Sequence, residues 1–207
     1  KGKPPERRKC PMTAQDPCQR CKPCNILCGI GGAGLFSDGK LNYIHKLGKT
    51  DLTQFMPPAE AQALIAETEE IFNRFGMDGP VYPTDMEAAR AIRKSAKRYG
   101  IDLLIIKQKH LGSDRLPAHI AGMAEYLRQR GVVIHSSEDV RELIVDKGRV
   151  KGVITNRKSY QAPFVILAPG RAGADWMGRL ATHLELGLRQ RGIEVGVRVE
   201  VHNDILQ

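Results

Sequence analysis

Residues 18–41 read CQRCKPCNILCGIGGAGLFSDGKL, four cysteines and five glycines in 24 residues, closing on a short polar run. Thiols at that density can hold a metal or form a redox couple, and glycines let backbone come close to a ligand. The stretch is therefore a ligand loop. Before it lies a basic tail. After it, helix-period and strand-period patterns alternate, which gives an α/β chain.

Composition narrows the class. The chain has 207 residues, 42% hydrophobic and 27% charged, which suits a globular protein with a core. No apolar run is long enough for a membrane-spanning helix, and KGKPPERRKC at the start has no signal-peptide core. The net charge is +9, yet aromatics are only 5% and do not interleave with Lys and Arg. A nucleic-acid partner is accordingly not expected; a basic binder would lose affinity steeply with salt. All five cysteines (Cys10, Cys18, Cys21, Cys24, Cys28) fall in the first 28 residues. An odd number in one short stretch is not a secreted disulfide framework, so the expected compartment is cytoplasmic.

Taken in order, residues 1–17 carry four prolines and many charges and read as an extended linker. Residues 59–75 form an amphipathic helix with Leu64, Ile65, Thr68, Ile71, Phe72 and Phe75 inward, stopped by Gly76. Thr84 and Glu87 are spaced as a capping box for a second helix ending at Gly100. Residues 101–106 and 132–134 read as apolar strands. Between them Gly112-Ser113-Asp114 opens a helix over 117–130, with Ile120, Met123, Ala124 and Leu127 inward and Gly131 as its stop. Residues 140–145, 149–155 and 159–163 are spaced as a three-stranded β-meander. A further apolar strand (164–167), a helix over 174–191 with Trp176, Leu180, Leu184 and Leu188 as its stripe, and an alternating strand from Ile193 to Val201 complete the chain.

GGAGLFSDGKL (31–41), GSDRLP (112–117) and VILAPGRAG (165–173), in this order of elements, resemble the FAD-dependent dehydrogenases of the glutathione-reductase-like flavoprotein class. The likeness covers nearly the whole chain, and GGAG-x-FSDGKL is its most specific part. It implies part of an FAD-binding Rossmann-like sheet with its meander, plus a helical substrate-domain insertion. The segments it implies are 1–50 (linker and cofactor loop), 51–110 (helical substrate-domain segment), 111–173 (FAD-domain segment) and 174–207 (helix and start of a second substrate-domain segment). It also implies an enzyme, an FAD-dependent oxidoreductase passing a hydride or electrons between a small-molecule substrate and an acceptor, neither of which the sequence names. The family's N-terminal G-x-G-x-x-G is not here, so the resemblance makes this a fragment whose partner is the rest of the same polypeptide, inactive in isolation.

Residue by residue, the resemblance implies that Gly31, Gly32, Gly34, Ser37, Asp38, Gly39 and Lys40 form a loop against the flavin. Val140 looks like the position whose backbone meets the adenine, Ala168, Pro169 and Gly170 like a turn passing close to FAD, and Arg171 like a pyrophosphate contact. A local match, Gly29 to Gly34, has the fingerprint spacing but lacks the strand before it and the helix after it that a phosphate site requires.

Cys18-x2-Cys21-x2-Cys24-x3-Cys28 has the spacing of a ferredoxin-type [4Fe–4S] run, with Gly29 where those have proline. A four-thiolate zinc site, a redox thiol pair beside a flavin and a plain reduced cluster remain open beside it. The reading from another class is a metal-stabilised binding module without catalysis. His119 reads as a helix-surface residue, with a proton donor near flavin as its functional alternative. Trp176 reads as core, and Asp114 and Arg115 as a helix cap and a surface cation.

Overall fold

The structure is a computed structural model that describes residues 2–48, 50–188, 202 and 204. It divides into two units, Lys1–Leu167 and Ala168–Gln207. Strands and helices in chain order are β1 (Lys40–Asn42), β2 (Lys46–Leu47), β3 (Thr50–Asp51), α1 (Pro58–Asn73), α2 (Met86–Arg98), β4 (Gln108–His110), α3 (Leu116–Gln129), β5 (Val140–Asp146), β6 (Arg149–Thr155), β7 (Ser159–Gln161) and α4 (Ala174–His183). Among the described residues no helix is long and apolar enough to cross a membrane.

The helices of the first unit begin and end where local chemistry says they should. Pro58 sits at the start of α1, where its missing N–H costs nothing, and Gly76 takes a left-handed φ of 95° just past its end. The cap of α2 differs from the expected box. Asp85, not Thr84, accepts from the N–H groups of Glu87 and Ala88, both at 2.9 Å. A carboxylate at that position also meets the positive end of the helix.

The buried face of α1 is turned relative to the periodicity. Ala61 is fully buried and Ile65, Glu69, Phe72 and Asn73 are half-buried, whereas Leu64, Thr68 and Ile71 are exposed. Two lysines decide this. Lys109, almost wholly buried, bonds Asn73 Oδ1 at 2.8 Å and Glu69 at 3.2 Å, and Lys107 reaches the same Glu69 at 2.9 Å. Burying these charges is tolerable only when they are paired, so the polar residues of α1 are drawn inward. Below them Met77, Leu111 and Leu116 form the core, with Leu41 and Phe72 packed against it.

Strand pairing is antiparallel throughout the described residues: β1 with β4, β2 with β3, and β5, β6, β7 side by side in that order. Mixed helices and small antiparallel sheets thus make up the fold. The parallel sheet of an FAD-binding unit is not among them, and residues 101–106, 132–134 and 164–167 are not strands. Strand formation needs a neighbour to take its N–H and C=O groups, and these apolar runs have none in place. Val133 is 74% and Ile166 93% exposed.

The sheet of β5 to β7 is tied by a buried carboxylate. Glu138 accepts from Thr155 Oγ1 at 2.6 Å and from the Tyr160 hydroxyl at 2.9 Å. The Thr155 hydroxyl holds its carboxyl below the ordinary carboxylate range; burial opposes this, and Tyr160 and His135 assist. A depressed folded-state pKa contributes stability that is present above the unfolded value and lost as pH falls through the folded one. Stability is accordingly expected to drop on acidification below the ordinary glutamate range. Glu138→Gln should flatten that acid limb in urea midpoints measured across pH; an unchanged limb rejects the assignment.

The second unit holds a helical turn (Arg171–Gly173) and α4, with Leu180 and Ala181 buried. Trp176 is half-buried. α4 is shorter than the expected 174–191. It closes on Leu184, whose N–H bonds Leu180 O, and Glu185 follows at a left-handed φ of 54°. Leu188 is exposed. The expected strand from Ile193 to Val201 lies outside the described residues.

Candidate functional site

The Cys-Gly stretch is built around one buried cation. Arg8 is only 3% exposed, and its guanidinium donates to three backbone carbonyls: Asn25 O at 2.9 Å, Ile26 O at 2.6 Å and Ile30 O at 2.8 Å. It also lies over the Phe36 ring, 5.0 Å from its centre. The fork of N–H groups suits several carbonyls at once, which a lysine could not match. Burial lowers the guanidinium's pKa from its ordinary value, while the neighbouring Cys28 and Cys24 raise it. The tail is therefore not a free linker here. Pro5–Arg7 form a short helical turn with Pro5 buried, which delivers Arg8 under the loop.

Gly29 is required at the crossing. Its φ is 128°, and a Cβ there would lie 2.6 Å from both Lys3 O and Arg8 Cδ. The segment 32–36 then winds as a single short turn with Leu35 buried, and a Cβ at Gly31 would press on Ile120 of α3. No strand precedes the Gly29 to Gly34 match and no α-helix follows it, so it lacks the setting of a phosphate fingerprint.

The far side of this loop is open. Nothing lies within 4 Å of a Cβ built at Gly32 or Gly34. Ser37 is spent internally, its hydroxyl donating to Gly34 O at 2.7 Å and accepting from Gly39 N–H at 3.1 Å. Asp38 pairs with Lys40 at 3.1 Å, and that bond chiefly holds its carboxyl below the usual range. Gly39 is fastened to the rest: Leu111 N–H bonds its carbonyl and Gly112 N–H bonds that of Asp38, both at 3.1 Å. The structure thus gathers Gly31, Gly32, Gly34, Ser37, Asp38, Gly39 and Lys40 into one loop backed by α3.

No family model, curated protein or solved structure matches the chain.

Val140 opens β5 and is exposed. Ala168, Pro169, Gly170 and Arg171 are exposed and belong to the second unit. The open backbone at Gly32 and Gly34 has room for the close approach of a flat ring such as the flavin of FAD, so these two residues are compatible with that group. All five cysteines are free thiols, Cys18 exposed and the others half-buried. Among the described residues no three Cys, His, Asp or Glu side chains are grouped as a metal ion needs.

His119 corrects the surface reading. It is 3% exposed, with Nδ1 at 2.7 Å from Phe75 O and its ring stacked on Phe72 at 5.3 Å. A histidine one turn into an amphipathic helix is drawn inside when an orphan carbonyl at a neighbouring helix end needs a donor. Asp114 is exposed, and Arg115 bonds Gly76 O at 2.9 Å, closing the end of α1. Sequence reasoning missed Arg8 and the trio of Tyr43, Glu69 and Lys109. Tyr43 is buried, its hydroxyl pushed up to about 12 by burial and then by Glu69. An arginine in a Pro-rich basic tail carries no periodicity to mark it as buried.

Proposed function

We propose that the chain is a segment of an FAD-dependent oxidoreductase of the glutathione-reductase-like flavoprotein class, and that the loop from Gly31 to Lys40 lies against the flavin. The observation that carries this is the open surface at Gly32 and Gly34, backed by Arg8, Leu35 and α3. Its support is that the most specific stretch of the resemblance, GGAGLFSDGKL, falls on that surface. FAD bound there supplies hydride or electron transfer to an unidentified substrate and acceptor. The chain's own part is to present backbone without side chains to the ring, exclude water along it, and keep Asp38 and Lys40 paired at its edge.

The exposed apolar runs agree with this reading. Residues 132–134 and 164–167 have strand composition, and further strands of the same polypeptide would cover them.

The test is the visible spectrum of the full-length gene product, purified without oxygen. Flavin bands are expected, and Gly34→Phe, which fills open space and leaves the backing of the loop alone, should abolish them while keeping the far-ultraviolet circular dichroism. A folded full-length protein without flavin, even after incubation with FAD, overturns the proposal.

A further inference from the structure

A concave site lies in the first unit, lined by no residue of the glycine loop. It is a cavity of about 520 Å³ lined by Lys3, Pro4, Arg7, Ser136, Ser137 and Arg157. Three of the six are cations, two are hydroxyls, and none is acidic. Among the described residues neither Lys3 nor Arg7 takes part in an ion pair. Arg157 spends one N–H group on Ser137 O at 3.2 Å. Arg157 is also attracted by the Glu138 carboxylate, whereas Lys3 and Arg7 add two cations to the same lining, a net positive charge that favours an anion.

The walls are set by the fold. Gly2 O accepts from Ser137 N–H at 3.2 Å, which joins the tail to the segment before β5. Buried Pro5 and Arg8 fix the turn that carries Arg7. On the opposite wall Thr155 Oγ1 accepts from the N–H groups of Arg157 and Lys158 at 3.1 and 3.0 Å, setting the turn that carries Arg157. Glu138 is buried nearby, with Thr155 and Tyr160 donating to it, and it is not a lining residue. The cations are thus long, exposed side chains that line one open cleft, on stems held by these bonds.

We propose that this cavity is a binding site for the phosphate group of a small phosphomonoester. Two guanidinium forks match two edges of a tetrahedral dianion, Lys3 adds a point charge, and the serine hydroxyls donate to the remaining oxygens. The volume falls in the range of small-ligand pockets and exceeds a bare phosphate, which leaves space for a compact organic body beside Pro4. None of its residues belongs to the open loop.

The test is calorimetric titration of the full-length protein with inorganic phosphate, AMP and adenosine at low salt. Phosphate and AMP are expected to bind, and adenosine at least tenfold more weakly than AMP. Arg7→Gln with Arg157→Gln should weaken AMP at least tenfold. Arg90→Gln with Arg93→Gln, which removes the same charge from exposed α2, should leave it unchanged. Adenosine binding as tightly as AMP, equal losses in the two double variants, or no phosphate binding at all each overturns the proposal. Circular dichroism confirms that the exposed substitutions leave the fold intact. Flavin content read on the same samples separates the two readings: flavin without phosphate binding removes this site alone, and phosphate binding without flavin removes the other alone.

Discussion

Arg8→Gln is expected to cost about 3 kcal/mol or more, because a single substitution strips the donors from three backbone carbonyls at once. Asn25, Ile26 and Ile30 would each keep a carbonyl directed at the vacated site, and glutamine can answer at most one or two of them. The stacking of the guanidinium on Phe36 goes as well. Against a total stability of about 5–15 kcal/mol for an ordinary domain, such a loss is a large share. It should fall on residues 24–36 first. Two measurements check it: the urea midpoint, and hydrogen exchange of the amides of Cys28, Gly32 and Leu35, which are bonded in the native loop. Arg8→Lys should recover little, since an ammonium cannot span three carbonyls in a fork. A midpoint for Arg8→Gln within experimental error of the wild type would show that the tail is not the support of the loop.

Gly152→Ala is the second large effect, expected at about 3 kcal/mol. Gly152 sits in β6 opposite Ile144 on one side and Gln161 on the other. A Cβ there collides with the Tyr160 carbonyl oxygen and comes within 2.9 Å of Gln161 Cα and 3.0 Å of Tyr160 C. All three are backbone atoms, so no rotamer change relieves the contact; β7 must move away. That movement would break the Ala162 N–H bond to Lys151 O and pull the Tyr160 hydroxyl off Glu138. The checks are a thermal melt and the acid limb of stability, which should weaken together because both depend on β7. A Gly152→Ala protein that melts with the wild type would show that β7 is not fastened there.

Signals that act within a few residues could be read directly from the chain. Pro58 and Gly76 around α1, Gly100 after α2, Gly131 after α3 and the Lys147-Gly148 turn between β5 and β6 all act through φ and through N–H groups, and these are properties of the residue itself. The glycine loop was legible for the same reason, since a run such as GIGGAG suits positive φ, which Gly29, Gly31 and Gly32 take. Asp85 taking the cap from Thr84 is a shift of one position between two good acceptors. Sequence periodicity could not separate them.

What depends on partners was not legible. Residues 101–106, 132–134 and 164–167 have strand composition, but a strand exists only where another offers its hydrogen bonds, and composition does not name the neighbour. Nor does it say which polar residues will be buried. Glu69, Asn73, Arg8 and His119 all look like surface residues until Lys109, three loop carbonyls and Phe75 O are brought beside them. The sequence by itself determined where the chain turns, which stretches are helical and that residues 29–39 form a glycine-rich loop. Tertiary structure alone decided which charges go inside, because burying a charge is favourable only against a partner that lies far away along the chain.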